Sequence, residues 1–341
     1  MVFVSLGARL LVNVEALNMV ESVGNVTRHR RATIVYRRGD TYVVRVVPAI
    51  SGETIAHAYQ YWLAELSKKE GMPLCEFCER GEFLKHCDPN LFGNKPWEVQ
   101  LKNMVQSKSG YDPHVVEKTI VANCVVEDVG GFLFPGATPV KRTSRFQVGY
   151  MIPAFDAIEK CSIEPQFHVR HSSSLAKGKQ AEAQMIYYVE VSSAPYVFTF
   201  NIDIDGIGRT SMIKVEDAIS PEDRKKRVEV ALKALGIMLD TKLFGAKLSR
   251  FNPVMDYEVV FALISKSLPF TVSPPGNPDF VSETLNRVNK YKEITGDEVK
   301  MYIYSRFDEY LKQVEGVEGV NRVSNVLELI EKILHDVQEK G

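Results

Sequence analysis

The chain has few cysteines and no long apolar run, and each shortage excludes a class of protein. Its net charge is also almost zero, which does not by itself decide whether it binds a polyanion. Five cysteines in 341 residues are too few for the disulfide framework of a small secreted protein. No run of about 18 consecutive apolar residues occurs, so a membrane span is not expected. The N-terminus lacks the basic start of a secretory signal, and Arg9 interrupts its apolar stretch. We therefore expect a soluble cytoplasmic protein with no membrane partner.

The motifs of common catalytic sites are absent as well. The chain contains no Gly-x-Ser-x-Gly, no His-Glu-x-x-His and no paired-carboxylate motif. The turn over residues 245–250 carries glycine, lysine, serine and arginine but lacks the spacing of a Walker loop. Its backbone amides, with Lys247 and Arg250, are suited to holding a phosphate, or else they form a helix end with surface charges. The sequence predicts neither an enzyme nor a bound cofactor.

Apolar residues at the even positions from 2 to 14 predict a first strand. One face would enter a core, and the face that carries Ser5, Arg9 and Asn13 would meet solvent or a ligand. Ser51 and Ser220 each precede a stretch of helical apolar spacing and are typical helix N-caps.

The order of predicted elements is strand, helix, long insertion, strands, helix, strand and helical tail. This order is that of an α+β protein with a modified ferredoxin-like or RNA-recognition-motif (RRM) core, βαββαβ. The core has a long insertion after its first helix and a C-terminal helical extension. The predicted boundaries are 1–67 plus 140–270 for the RRM-like core, 68–139 for the inserted lobe and 271–341 for the helical extension.

Basic residues are concentrated in three segments that contain almost no acids. Residues 22–52 hold six arginines and one acid, whereas 129–155 and 165–181 are free of acids. The compensating carboxylates gather in 308–341. Such segregation predicts a track for a polyanion, although each segment alone is also compatible with a solvated loop.

A histidine pair lies in the third basic segment. On a strand His168 and His171 would point to opposite faces, which argues against metal chelation. His168 and Arg170 would share one face and could touch RNA through a stacked ring and a phosphate contact. A solvated loop is the alternative.

One group of side chains has the chemistry of a structural zinc site. Cys124 and Cys161 are isolated in the sequence, and we expect both to be buried as small apolar residues. A disulfide or free thiols remain alternatives to zinc, since two of the potential ligands are adjacent in the sequence. These potential ligands are Cys75, Cys78, His86 and Cys87.

Several motifs together resemble a known family. They are Asn-Val-Glu-Ala-Leu-Asn at 13–18, Glu-Ser-Val-Gly-Asn-Val-Thr-Arg-His-Arg at 21–30, Val-Pro-Ala-Ile-Ser-Gly-Glu at 47–53 and Gly-Ala-Lys-Leu-Ser-Arg at 245–250. In these motifs the chain resembles archaeal DevR-type CRISPR-associated proteins, the backbone subunits of type I-A Cascade in the Cas-seven branch of the RAMP superfamily. The likeness is most specific over residues 4–60 and 243–253.

The resemblance implies an RRM-like palm whose copies stack along a CRISPR RNA, grip its phosphates and leave its bases free for a target strand. It implies as partners the guide RNA, the target nucleic acid paired to it, further copies of the chain and other Cascade subunits. It does not imply catalysis. The alternatives are a RAMP-type endoribonuclease that uses His168 or His29 as acid or base, and a DNA-binding regulator, for which no helix-turn-helix is found.

The predicted RNA-binding residues fall into three groups. Matched motifs supply Asn18, Arg28, His29, Arg30, Ser51, Gly52, Lys247 and Arg250. His168 and Arg170 match by place and residue type, and Lys141 and Arg142 rest on charge alone.

Overall fold

The N-terminal strand lies at the centre of the main sheet, in a computed structural model that describes residues 2–107, 110–170 and 185–339. The elements up to the first long helix are β1 (Phe3–Glu15), β2 (Met19–Val23), β3 (Val26–His29), β4 (Arg31–Arg38), β5 (Thr41–Pro48) and α1 (Gly52–Lys69). The inserted lobe holds α2 (Glu76–Glu79), α3 (Pro96–Val105), α4 (Pro113–Asn123), α5 (Val125–Gly130), β6 (Phe132–Phe134) and β7 (Val140–Arg142).

The chain then returns to the main sheet. Its middle elements are β8 (Phe146–Val148), β9 (Ile152–Pro153), a 3-10 helix (Phe155–Lys160), β10 (Ser162–Arg170), β11 (Met185–Asp203), α6 (Pro221–Thr241) and β12 (Val254–Ser265). The C-terminal part consists of α7 (Phe280–Thr295), β13 (Val299–Ser305), α8 (Asp308–Lys312), β14 (Val320–Arg322) and α9 (Val326–Gln338).

The main sheet has the strand order β14-β13-β12-β1-β11-β3-β2, and β8, β9 and β10 also pair with β11. β1 is antiparallel to both of its neighbours, β11 and β12. β4 and β5 form a separate two-stranded sheet, as do β6 and β7. The chain is therefore an α+β protein with one large mixed sheet, in agreement with the predicted fold class.

Helices α1, α6 and α9 pack on one face of this sheet. Both predicted N-caps are confirmed: Ser51 Oγ accepts the Thr54 amide at 3.3 Å, and Ser220 Oγ accepts the Asp223 amide at 3.1 Å. The buried Tyr59 hydroxyl of α1 donates to the Ala231 carbonyl of α6 at 3.0 Å, which joins the two helices. Within the described ranges, no helix combines the length and the apolar character that crossing a bilayer requires.

The second face of β1 is buried too, contrary to the sequence prediction for Ser5 and Arg9. Arg9 forms a two-pronged ion pair with Asp156 at 2.9 Å and also contacts Glu258 at 3.2 Å. Burial of an arginine is tolerated because carboxylates and backbone carbonyls satisfy its donors.

The C-terminal extension covers this face of the sheet. The sequence predicts it to be helical, but it also contains strands. Its strand β13 adds to the sheet beside β12, and β14 pairs in parallel with β13. Phe261 of β12 packs against Phe280 of α7 and lies in one core cluster with Tyr310 of α8. The strands of the extension therefore belong to the central sheet, and its helices α7 and α8 form a third layer on the second face of that sheet.

A buried ionic cluster joins the inserted lobe to the rest of the fold. Asp128 of α5 accepts hydrogen bonds from Arg142 and from Arg227 of α6, the latter at 2.8 Å. The Gly208 amide also donates to Asp128, at 2.9 Å. Asp128 and both arginines are almost fully buried. The prediction that Arg142 contacts RNA is therefore wrong for this structure, because its guanidinium is enclosed and paired.

We expect Asp128→Asn to destabilise the fold by about 3–5 kcal/mol, since it removes the carboxylate that pairs with two buried guanidinium groups. In the described ranges Arg142 then keeps Glu117 at 3.7 Å, whereas Arg227 keeps no carboxylate within 4.0 Å. The measurement is the free energy of unfolding in urea. Asp256→Asn is the matched control, because the Asp256 pair with Arg306 is exposed and should contribute less than about 1 kcal/mol. Equal losses in the two variants would contradict the assignment.

Candidate nucleic-acid interface

The short connection after β1, residues 16–18, is hydrogen-bonded to three other segments of the chain. We call this connection the joint. The Leu17 carbonyl accepts the Ala246 amide at 2.8 Å. The Asn18 carbonyl accepts the Arg30 amide at 2.8 Å, and the Asn18 side-chain oxygen accepts the Ser51 amide at 2.7 Å. Three of the four sequence motifs thus converge on the fourth.

A cluster of buried polar side chains packs next to the joint. The His29 Nε2 atom lies 2.5 Å from a carboxylate oxygen of Glu15, and its Nδ1 atom lies 2.7 Å from the Arg30 carbonyl. The Tyr196 hydroxyl donates to the same Glu15 oxygen at 2.9 Å. Burial, reinforced by the Glu15 charge, raises the pKa of Tyr196 well above its usual range, so this hydroxyl keeps its proton and remains a donor.

His29 therefore has a different role from the predicted one. Its side chain is 1% exposed, and both ring nitrogens are occupied. It fixes the junction of β3 and β4, and the prediction that it contacts RNA is corrected accordingly.

Asn18, Ser51 and Gly52 are also positioning residues. The first two side chains are buried and bonded to backbone or cap atoms. A Cβ atom at Gly52 would lie 2.8 Å from the Val148 carbonyl oxygen, so glycine permits the start of α1 to approach β8. The side chains of Asn18 and Ser51 therefore hold the interface in shape instead of contacting RNA, whereas an RNA contact of Gly52, which is half-buried, stays a prediction.

The cations around the joint are Arg28, Lys247 and Arg250, which are exposed, and Arg30, which is half-buried. Arg28 lies 3.6 Å from Glu21 in an exposed pair. In the part of the chain that the structure describes, Arg30, Lys247 and Arg250 have no carboxylate within 4.0 Å. Among the described residues, the Arg30 guanidinium donates to the Tyr150 hydroxyl at 3.4 Å. These groups are free to bind an anion.

The loop that carries Lys247 and Arg250 is placed by a glycine. Gly245 has φ of +84°, and a Cβ atom there would lie 2.8 Å from the Leu17 carbonyl oxygen. Lys247 itself adopts a left-handed φ of +57°. The loop therefore rests directly on the joint and exposes its two cations.

An aromatic group next to Arg250 was not predicted. The His168 ring stacks on Tyr187 with centroids 5.1 Å apart, and Phe251 meets His168 edge-on at 5.5 Å. Arg250 Nη1 donates to the Tyr187 hydroxyl at 3.4 Å. One sequence signal was available, since Phe251 directly follows the basic motif at 245–250.

His168 is half-buried, and its Nε2 atom has no hydrogen-bond partner in the described ranges. Arg170 is the last residue of β10, and its side chain lies outside the described part of the chain, as does all of His171. The proposed role of Arg170 stays a prediction.

The other four arginines of the first segment are paired with acids, Arg37 with Asp40 of the same segment at 3.5 Å and Arg38 with Glu159 at 3.7 Å. Arg45 forms a two-pronged pair with Glu159 at 2.6 and 2.7 Å, and Arg31 contacts Glu190 at 2.8 Å. Lys141 is exposed on β7 of the inserted lobe, outside the segments that the joint gathers. Fewer basic residues are therefore available to bind an anion than the sequence predicted.

The predicted zinc ligands are only partly brought together. Cys75 and Cys78 lie in one buried group, but Cys87 is exposed and His86 bonds a carboxylate of Glu127. Cys124 takes a place beside the first two cysteines. It is buried as predicted but is not isolated in space.

Comparison with known proteins agrees with this geometry. The chain is 38% identical over 307 residues to the "CRISPR-associated aCascade subunit Cas7/Csa2 2" of Saccharolobus solfataricus, covering 88% of this chain and 91% of that protein. It is 26% identical over 328 residues to the "CRISPR-associated protein Cas7/Cst2/DevR" of Methanocaldococcus jannaschii, covering 92% and 97%.

These matches define a CRISPR-associated protein. Residues 6–285 match the family described as "CRISPR-associated negative auto-regulator DevR/Csa2", and the chain belongs to this family. A solved chain of a "CRISPR RNA-guided surveillance complex, pre-nicking" superposes with a TM-score of 0.55 at 10% identity, covering 98% of this chain and 99% of that chain. That likeness concerns the fold alone. The family resemblance inferred from the motifs is confirmed.

We expect Gly245→Ala to destabilise the protein by more than the cost of a left-handed alanine, which is about 1–2 kcal/mol, because its Cβ would also strike the Leu17 backbone. Gly296→Ala is the matched control, since Gly296 has φ of +67° and nothing within 4 Å. Urea unfolding of both variants measures the difference. Equal destabilisation would show that the loop does not press on the joint.

Proposed function

We propose that this protein binds single-stranded CRISPR RNA as a backbone subunit of a Cascade-type surveillance complex. The observation that carries the proposal is the group of Arg30, Lys247 and Arg250, which the joint holds together without carboxylate partners in the described ranges. Family membership and the names of the relatives support it.

The chemistry of the group suits a phosphate backbone rather than a base edge. Guanidinium and ammonium groups bind phosphate oxygens without reading sequence. The neighbouring rings of Tyr187, His168 and Phe251 offer a stacking surface, which tolerates any base. A guide strand held in this way keeps its bases available to a target strand, and its own sequence does not matter.

The core of the protein is a modified ferredoxin-like or RRM-like palm. β12, β1, β11 and β8 lie side by side, each antiparallel to its neighbour, and α1 and α6 pack together on one face. Read in chain order, these elements form βαββαβ with the inserted lobe after α1. Copies of this palm stack along the guide and meet other Cascade subunits in the cytoplasm.

The protein is not an enzyme in this proposal. His29, one of the two histidines considered for a ribonuclease, is enclosed with Glu15 and cannot reach a substrate. His168 is the remaining ribonuclease candidate, because its Nε2 atom has no partner in the described ranges.

Replacing Lys247 and Arg250 together by alanine should weaken binding to single-stranded RNA to a similar extent for RNAs of different sequence. The salt slope, d log K/d log[salt], should become less negative by about 0.7 for each phosphate that the variant no longer neutralises. The measurement is a fluorescence-anisotropy titration at several salt concentrations. Arg28→Ala with Arg30→Ala should act in the same direction.

The matched control is Lys290→Ala with Arg306→Ala. It removes the same charge from two exposed cations that lie outside the joint and are paired with Glu293 and Asp256. We expect its affinity for RNA to remain close to that of the parent protein. An equal loss in the control, or a loss that depends on RNA sequence, would contradict backbone gripping at this site.

On a long single-stranded RNA, the purified protein should give a ladder of slower species in a mobility-shift titration, because copies bind side by side. The RNA should remain intact on a denaturing gel. Cleavage that disappears in His168→Ala would replace the binding function with the ribonuclease, and a preference for duplex DNA would favour the regulator.

A further inference from the structure

Three thiols and a carboxylate converge in the interior at the base of the inserted lobe. The ligand atoms of Cys75, Cys78, Cys124 and Glu127 all lie within 4.8 Å of one another. All four residues are buried, and none of the three thiols takes part in a disulfide. This group is separate from the cations around the joint.

The two halves of the group have the same spacing. Cys75-x-x-Cys78 spans α2, and Cys124-x-x-Glu127 leads into α5. The Cys78 amide donates to the Cys75 sulfur at 3.3 Å, which orients that sulfur toward the group. The Val125 amide donates to the Pro73 carbonyl at 3.0 Å, so backbone bonding already holds the two halves side by side.

Further side chains surround the four in a second layer. His86 is buried and places Nδ1 2.8 Å from both oxygens of Glu127. Its Nε2 atom has no hydrogen-bond partner in the described ranges. The Lys85 ammonium donates to the Gly130 carbonyl at 3.1 Å. Burial lowers the pKa of Lys85, and negative charge at Cys78, Glu127 and Cys124 offsets part of that shift. Such outer partners orient metal ligands and offset their charge.

We propose that Cys75, Cys78, Cys124 and Glu127 bind one structural zinc ion. Three thiolates and one carboxylate are a ligand set that zinc accepts in a closed tetrahedral site. A zinc ion about 2.3 Å from each sulfur holds the sulfurs about 3.8 Å apart, so the group needs only a small contraction. Cys87, which the sequence motif includes, is exposed and has no part in the site.

Zinc explains this interior better than the alternatives do. A disulfide would join two of the three sulfurs. It would give no role to the third thiol or to the Glu127 carboxylate. Calcium and magnesium prefer oxygen ligands, whereas three of the four ligands in this group are sulfurs. A zinc ion would also tie the first turn of the inserted lobe to the α4–α5 junction, where the lobe returns to the core.

The test is the metal content of the untagged full chain, purified without chelator from cells supplied with zinc. We expect about one zinc per chain, as in a closed structural site. Cys124→Ser should lose the metal, whereas the control Cys87→Ser should keep it. His86→Ala should bind zinc about 10- to 100-fold more weakly, as expected for loss of an outer partner.

A measurement on the unaltered chain protects the test against a variant that does not fold. X-ray absorption at the zinc edge should report about three sulfur ligands and one lighter ligand. After metal removal, Co²⁺ should restore a thiolate-to-cobalt absorption band. Three results would overturn the proposal. The first is a chain that is purified without zinc and gives no such band, and the second is a disulfide among the three cysteines. The third is loss of zinc in Cys87→Ser but not in Cys124→Ser. None of these readouts involves RNA.

Discussion

Three hydrogen bonds to residues 17 and 18 hold the interface in place, since they connect the loop of Lys247, the strand of Arg30 and the start of α1. These segments are far apart in the sequence and belong to different elements. A surface loop that carried the same cations without such bonds would have to be ordered by its ligand, at an entropic cost. Buried Asn18 therefore positions Arg30 through a backbone hydrogen bond.

Charge pairing, rather than charge count, decides which basic residues remain available. Arg142 and Arg9 are enclosed with carboxylates, and Arg45 is neutralised by Glu159. Arg30, Lys247 and Arg250 are the cations near the joint that have no such partner among the described residues. A protein of almost zero net charge can thus offer a strongly basic site of limited area.

Local patterns predicted much of this fold, whereas long-range partners were beyond them. The strand β1 and the caps Ser51 and Ser220 depend on neighbours in the sequence and are confirmed, whereas the solvent-facing side predicted for β1 is buried. Arg142 was placed in an acid-free segment that begins one residue after Asp128, its buried partner. Cys124 was judged isolated because 46 residues separate it from Cys78. Apolar residues alternate along the sequence at positions 299, 301 and 303 and could have predicted β13, but this segment was included in the predicted helical extension.

The central position of β1 has a consequence for biosynthesis. This strand is synthesised well before its partner in β11, which follows 196 residues later, as the pair Ser5–Asn201 shows. At about 5–20 residues per second, such a separation keeps the strand without its partner for about 10–40 s. During that time a largely apolar edge can pair with other nascent chains, because nothing yet covers it. The yield of folded protein therefore depends on translation speed and on chaperones as well as on its final stability.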